Sequence, residues 1–246
     1  PPIVITQDRT VQLDATGHVS ITPDYINNNS SDICGIASVS LKKLGDSDAS
    51  YSTTGLTFDC SEEGENTVVL RVIDLKGNVA TREAKVTVQD QIAPVIKVKD
   101  ITLQLNERGT VSLTPQMIND GTTDNCIYTL FTIPSTFTCN DVGPNTVLVI
   151  ATDPGNNVQF SSIVATIQDN IKPTITAPAD IIVNADASCS ATGLNLGSAI
   201  TADNCSVATV VNDAPQVFHS GINTITWTVT DVNGNIQTAT QKVTVV

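Results

Sequence analysis

A motif set that recurs three times, strands of alternating polarity, and turn signals between them predict an all-β chain of three tandem immunoglobulin-like β-sandwich domains in an elongated array. The set has four members. Pro2, Pro94 and Pro173 open the units, and Asp32-Ile-Cys34, Asp124-Asn-Cys126 and Asp203-Asn-Cys205 follow. Next come the pairs Asp74/Asn78, Asp153/Asn157 and Asp231/Asn235. Last is a strand that runs into an acidic linker, Val88-Gln89-Asp90 or Ile167-Gln168-Asp169. Pro94 to Pro173 is the same offset as Cys126 to Cys205, so the second and third units are in step. The first unit is longer, and its surplus falls between Cys34 and Asp74. The Asp-, Ser- and Gly-rich Lys42–Thr54 region therefore reads as an enlarged surface loop. The predicted domains are 1–91, 92–170 and 171–246.

The clearest strand is Thr224–Thr230, whose strict alternation puts Ile225, Trp227 and Val229 on one face. Asp231 to Asn235 then forms a turn, and Ile236 to Val246 returns. The equivalent penultimate strands are Asn66–Ile73 and Asn145–Ile150, each preceded by Cys-x-x-x-Gly-x-Asn-Thr-Val. Trp227 aligns with Leu70 and Val149, and is thus expected in the core rather than on a sugar-binding platform. No helical period competes with this pattern.

Composition narrows the function. Hydrophobic residues at 40% support real cores, while twelve Lys and Arg against twenty-five Asp and Glu leave a formal charge of −13. Such a balance repels phosphate backbones, which argues against nucleic acid as a partner, and suits hard cations and an exposed, soluble surface. No apolar run is long enough to insert directly into a membrane. The sequence carries no signal peptide and stops at Val246, where the other units continue into Asp90 and Asp169, so a piece of a longer array is expected.

Cys34, Cys60, Cys126, Cys139, Cys189 and Cys205 are an even set without CxxC spacing, which favours disulfides and an extracellular or cell-surface location. Pairing within units, as Cys34–Cys60, Cys126–Cys139 and Cys189–Cys205, would close loops of roughly 15–25 residues, worth about 3 kcal/mol each in the chain-entropy model. The third unit breaks the repetition. It carries Val217 where the others carry Cys60 and Cys139, and its extra cysteine, Cys189, lies upstream. Its wiring therefore differs, and sequence alone proves neither pairing.

The stretch Ala187-Ser-Cys189, the run Thr201-Ala-Asp-Asn-Cys-Ser206, and Phe218–Thr230 leading into Asp-Val-Asn-Gly-Asn235 resemble hyalin-repeat (HYR-like) domains of bacterial cell-surface proteins. The first two units look like divergent members of the same group. The resemblance implies an Ig-like fold within long, secreted, multi-repeat adhesins, including the mobile adhesins of gliding bacteria. Members of that group often have a further cysteine in the last strand, where this chain has Gln237-Thr-Ala-Thr240, and that departure fits altered cysteine wiring.

In an Ig-like sandwich the entering linker, the loop before the third strand and the last hairpin turn meet at one pole. The first junction would gather Asp90, Asp124, Asn125, Asp153 and Asn157, and the second Asp169, Asp203, Asn204, Asp231 and Asn235. Oxygens from Asp and Asn, without His or thiolate, are what Ca²⁺ takes. By analogy with cadherins, calcium there would neutralise clustered carboxylates and stiffen a short linker. The competing account is that Asp-x-x-Gly-Asn makes a good hairpin turn with no ion. The first unit has Asp32 and Asp74 but no linker Asp before them, so its site would be incomplete.

Catalysis has little support. His18 and His219 both fall in predicted Gly-containing turns, and no nucleophile elbow, zinc spacing or phosphate loop occurs. Aromatic residues are 4% of the chain, which leaves Tyr25, Tyr51 and Tyr128 as the loop tyrosines that could touch a ligand. Asn28, Asn29 and Asn204 head glycosylation tripeptides, as an Asn- and Ser-rich chain produces by chance. The sequence is accordingly read as a non-enzymatic structural and adhesive repeat segment, whose partners are neighbouring repeats and surface glycans or proteins. The alternative is a non-catalytic accessory or ligand-binding module of a large secreted enzyme.

Overall fold

The computed structural model describes residues 1–246. The fold is all-β and immunoglobulin-like. Three four-stranded sheets share one strand order, and each has a two-stranded sheet beside it in sequence. Two compact units contain them. One is Pro1–Val98 with Asn119–Phe131 and Val149–Ser161; the other is Lys99–Ile118 with Thr132–Leu148 and Ser162–Val246. The division crosses the second sequence repeat.

In the first unit the four-stranded sheet runs Arg9–Gln12, Val79–Gln89, Gly64–Asp74, Ile36–Lys43. The edge strand Arg9–Gln12 lies parallel to Val79–Gln89, with Val11 opposite Val88, whereas the remaining pairs are antiparallel. A second sheet pairs His18–Ile21 with Leu56–Asp59, setting Val19 opposite Phe58. Alternation along Gly64–Asp74 turns Val68, Leu70 and Val72 inward, where they meet Phe58, Ile21, Leu41, Val86 and Val88 in one core. Ile26, from the short helix Pro23–Ile26, fills the core's remaining edge with no exposed surface. Lys42 and Lys43 belong to the Ile36–Lys43 strand, so the enlarged loop begins at Leu44; its residues 44–50 are exposed and contain a 3₁₀ turn at Asp48–Ser50.

In the second unit the sheet order is Ile181–Val183, Ile236–Val245, Gly221–Asp231, Val207–Asn212, again with the edge strand parallel to its neighbour. Ser190–Thr192 pairs with Val217–His219, and Thr174–Thr176 with Ile200–Ala202. Ile225 and Trp227 are buried as the alternation requires, and the Trp227 indole N–H donates to Gln241 Oε1 at 3.1 Å. The middle sheet repeats the order as Ile101–Gln104, Val158–Gln168, Gly143–Thr152, Thr129–Ile133, and the pair Thr110–Ser112 with Thr136–Thr138 sets Val111 opposite Phe137. No helix is long and apolar enough to cross a membrane.

The cysteine pairing expected within repeats is overturned. Cys60 bonds Cys126 and Cys139 bonds Cys205, each across 66 residues, while Cys34 and Cys189 are free and exposed. Cys34–Cys60, Cys126–Cys139 and Cys189–Cys205 therefore do not form. The physical reason is where the two-stranded sheets end. Cys60 and Cys139 sit on 3₁₀ turns just past the Leu56–Asp59 and Thr136–Thr138 strands, and they abut the Asp-x-Cys loop of the next repeat rather than that of their own. The equivalence of Val217 with these cysteines is also corrected. Phe58, Phe137 and Phe218 are the matching buried residues, opposite Val19, Val111 and Ala191, so two residues further on Ser220 is the counterpart of Cys60 and Cys139.

Candidate cation sites

Asp90 leaves the Val79–Gln89 strand into the linker, and the residue is only 4% exposed. Its Oδ1 accepts from the Ile92 amide at 3.0 Å and from Asn125 Nδ2 at 3.1 Å. Asp153 closes a hairpin turn on itself: Oδ1 accepts from the Asn157 amide at 2.8 Å, and Oδ2 from Asn157 Nδ2 at 2.9 Å. Asn157 Nδ2 also reaches the Asp90 carbonyl at 3.1 Å, tying the turn to the linker. Asp124 caps its own loop, with Oδ2 accepting from the Cys126 amide at 3.4 Å.

One carboxylate oxygen each from Asp90, Asp124 and Asp153 can be chosen so that all lie within 4.8 Å of one another. The bonding above occupies both oxygens of Asp153 but only one each of Asp90 and Asp124. Asp90 Oδ2, Asp124 Oδ1 and Asn125 Oδ1 are left buried with no hydrogen-bond partner. Burial raises the Asp124 carboxyl above the ordinary carboxylate range, reinforced by the negative charges of Asp153 and Asp90.

The second unit repeats the arrangement. Asp169, Asp203 and Asp231 form the trio, and Asp169 Oδ2, Asp203 Oδ1 and Asn204 Oδ1 are the buried oxygens without partners. Asn204 Nδ2 reaches Asp169 Oδ1 at 3.1 Å, while Asn235 Nδ2 reaches the Asp169 carbonyl at 3.1 Å and Asp231 Oδ2 at 2.7 Å. Asp203 Oδ2 caps Cys205 and Ser206 at 2.9 and 3.0 Å. Native proteins leave few buried polar atoms unpaired, and here the same three orphaned oxygens recur in two places.

The donor set fits a hard cation, being oxygen throughout. Of the residues expected at the junctions, Asp90, Asp124 and Asp153 lie together, as do Asp169, Asp203 and Asp231, and Asn125, Asn157, Asn204 and Asn235 hydrogen-bond to members of these trios. Asn157 and Asn235 contribute by holding the carboxylates through their amide N–H groups. Asp32 and Asp74 keep the same local hydrogen bonds, but Ile33 stands where Asn125 and Asn204 stand, and the carboxylate trios are the two above.

Beside each trio lies a disulfide. Cys126 follows Asn125 and Cys205 follows Asn204, so the bonds to Cys60 and Cys139 fasten the loops that carry Asp124 and Asp203. The sequence offered one signal for this wiring, the shared 66-residue separation, which is visible only when thiols of different repeats are compared.

No family model matches the chain, and no curated protein matches it. Among solved structures it is similar to Sidekick-1 immunoglobulin domains 1–5, at 14% identity and TM-score 0.44, covering 99% of this chain and 58% of that one. The chain thus spans little more than half of that segment. It is also similar to mouse cadherin-23 EC22–24, at 16% identity and TM-score 0.31, covering 100% and 98%. A third is PcdhgB3 EC1–4, at 15% identity and TM-score 0.33, covering 100% and 76%. The fold assignment stands on the strand order and register described above.

The other residues singled out lie apart from the trios. His18 opens the His18–Ile21 strand, and its Nδ1 lies 2.7 Å from the Thr16 carbonyl; His219 ends the Val217–His219 strand. Arg9 covers the Tyr25 ring, Arg71 and Lys42 cover Tyr51, and the Tyr128 hydroxyl donates to the Thr122 carbonyl at 2.9 Å.

Proposed function

We propose that this chain is a structural and adhesive repeat segment of a large secreted cell-surface protein. Its repeats, 1–91, 92–170 and 171–246, are joined by calcium ions and disulfides at the Asp-x-Cys loops. The observation that carries this reading is the twofold occurrence of buried, partnerless oxygens beside a stapled loop. Calcium takes six to eight oxygens at flexible geometry, which two or three carboxylates, an Asn oxygen and water supply. Asp90, Asp124, Asn125 and Asp153 would hold one ion, and Asp169, Asp203, Asn204 and Asp231 the other. Each ion would bind the linker to the loop and the hairpin turn, so that successive repeats hold a set orientation. The disulfides support an oxidising, extracellular setting. The hyalin-repeat resemblance adds the class of parent protein, a long multi-repeat adhesin that meets surface glycans or proteins.

The test is a thermal melt of the oxidised chain in EDTA and through a calcium titration, with magnesium as control. A ligand that binds only the folded state stabilises it by about 4 kcal/mol at a thousandfold excess over Kd. A saturable rise in Tm, lost in Asp90→Ala plus Asp169→Ala, is expected. An unchanged Tm up to millimolar calcium would leave the Asp and Asn residues as turn chemistry and end the calcium reading.

A further inference from the structure

We propose that Cys189 and Cys34 are the outgoing and incoming halves of the same inter-repeat staple, so that Cys189 of one copy of this chain bonds Cys34 of another. The inference rests on the repeat reading above but not on the cation.

On the incoming side, the two bonded cysteines share a setting that Cys34 reproduces. The amide N–H groups of Cys126 and Cys205 are capped by Asp124 and Asp203 at 3.4 and 2.9 Å, and that of Cys34 is capped by Asp32 at 2.8 Å. Each of these loops precedes, within its repeat, the hairpin turn built on Asp153, Asp231 or Asp74, and all three turns have the same Asn-to-Asp side-chain bond. Unlike its counterparts, Cys34 meets no sulfur and follows Ile33 rather than an Asn. Beside it Ile33 projects fully into solvent and Ile3 is 64% exposed, an apolar margin that a docked repeat would cover.

On the outgoing side, the third repeat has exchanged two residues. The position of Cys60 and Cys139 holds Ser220. The turn facing that position, Gly17 in the first repeat and Gly109 in the second, holds Cys189, and all three turn residues are left-handed, with φ of 74°, 68° and 55°. A β-carbon built on Gly17 would fall 2.7 Å from Cys60 Sγ and 2.6 Å from the carbonyl oxygen of Asn125. One built on Gly109 would fall 2.5 Å from Cys139 Sγ and 2.7 Å from that of Asn204. A side chain on this turn therefore projects into the space of the staple, directly against the residue that precedes the incoming cysteine. Sulfur on both positions would collide, which accounts for the paired difference: where the turn carries Cys189, the facing position holds Ser220. A non-glycine residue held at positive φ is a strained choice, retained here with an exposed thiol.

The chemistry balances with a low-molecular-weight disulfide as oxidant. The Cys34 thiolate attacks oxidised glutathione and releases one glutathione thiolate. The Cys189 thiolate of the second copy then attacks the Cys34 sulfur of the mixed disulfide and expels the other glutathione. Two protein thiols and one glutathione disulfide become one protein disulfide and two glutathione thiols. Because the two halves are different surfaces, the contact is heterologous and can propagate.

The test mixes purified Cys34→Ser and Cys189→Ser chains in a glutathione redox buffer, with non-reducing electrophoresis and peptide mapping as readouts. The expected result is a heterodimer linked Cys189–Cys34 in excess over both homodimers, and a ladder of oligomers from the unsubstituted chain. A further variant, Cys34→Ser/Cys189→Gly/Ser220→Cys, returns the sulfur to the position it has in the other repeats. Mixed with Cys189→Ser, it should restore the heterodimer through position 220, which a merely reactive surface thiol would not do. Homodimers as abundant as the heterodimer, or no cross-link at all, would overturn the proposal. The calcium melt reports separately: cross-linking without a calcium shift would sink the cation reading alone, and a calcium shift without cross-linking would sink this one alone.

Discussion

Gln241 illustrates what a single side chain contributes. It is 1% exposed in the Ile236–Val245 strand, where its Oε1 accepts from Trp227 and its Nε2 donates to the Ala179 and Leu196 carbonyls at 2.8 and 3.0 Å. Removing it strands the buried indole N–H and frees two part-buried carbonyls, and a buried unpaired group costs about 1–3 kcal/mol. Gln241→Ala should therefore lose about 3 kcal/mol, followed in urea by the fluorescence of Trp227, the sole tryptophan. Alternation in the sequence assigned Trp227 to the core, and the structure agrees. It could not assign Gln241, because a polar residue at an inward position is legible only once its three partners are in place. Asp74 carries a pH signature of its own. Donation from the Asn78 side chain, and from the Asn78 and Lys76 amides, lowers its carboxyl below the ordinary value despite the opposing effect of burial. A lowered folded pKa adds stability above the unfolded Asp value of about 3.9, and that stability is lost as pH falls through the folded value. Asp74→Ala should thus melt below the unsubstituted chain at pH 7, and the gap should close on acidification toward pH 2. A gap that is constant with pH would exclude the carboxylate as its source.

The elements that build the site are turns, and turns are where sequence reading succeeded and failed side by side. Recurring Asp and Asn residues disclosed both trios, because a turn's chemistry is local and its spacing survives in the sequence. The staple was misassigned because cysteines close in sequence were taken as partners. The short strands Leu56–Asp59 and Thr136–Thr138 instead deliver each thiol to the next repeat's loop, a long-range consequence of strand direction. The enlarged loop was legible from composition, but its start was not, since Lys42 and Lys43 continue a strand opposite Val69 and Val68. Gly109 tests the packing of this junction. Alanine there meets a left-handed φ, which costs about 1–2 kcal/mol, and also the Cys139 sulfur. Gly45, at φ 92° with nothing near its missing β-carbon, provides the control for backbone strain alone. Gly109→Ala should lower Tm more than Gly45→Ala and reduce the fraction of Cys139–Cys205 formed, counted by peptide mapping. Equal losses would mean the staple tolerates a side chain at this turn.

Across the whole molecule, the two disulfides and the two carboxylate trios meet on the same loops. A disulfide across 66 residues removes about 4 kcal/mol of denatured-state entropy in the chain-entropy model, more than the shorter loops expected from sequence. The proposed cation would offset the mutual repulsion of three carboxylates, and would bind best where Asp124 and Asn125 are already held beside Asp90. Cys126 follows directly in that loop, so the staple lowers the entropy lost when the ion gathers its ligands. Groups that share a loop are not independent, and their contributions should fail to add. Cys60→Ser plus Cys126→Ser should accordingly weaken calcium at Asp90, Asp124 and Asp153, while the trio Asp169, Asp203 and Asp231 keeps its affinity. Calorimetric titration would then resolve two unequal sites. Two sites of unchanged affinity would show that the Asp124–Cys126 loop holds its shape without the sulfur bridge, leaving disulfide and cation as separate supports.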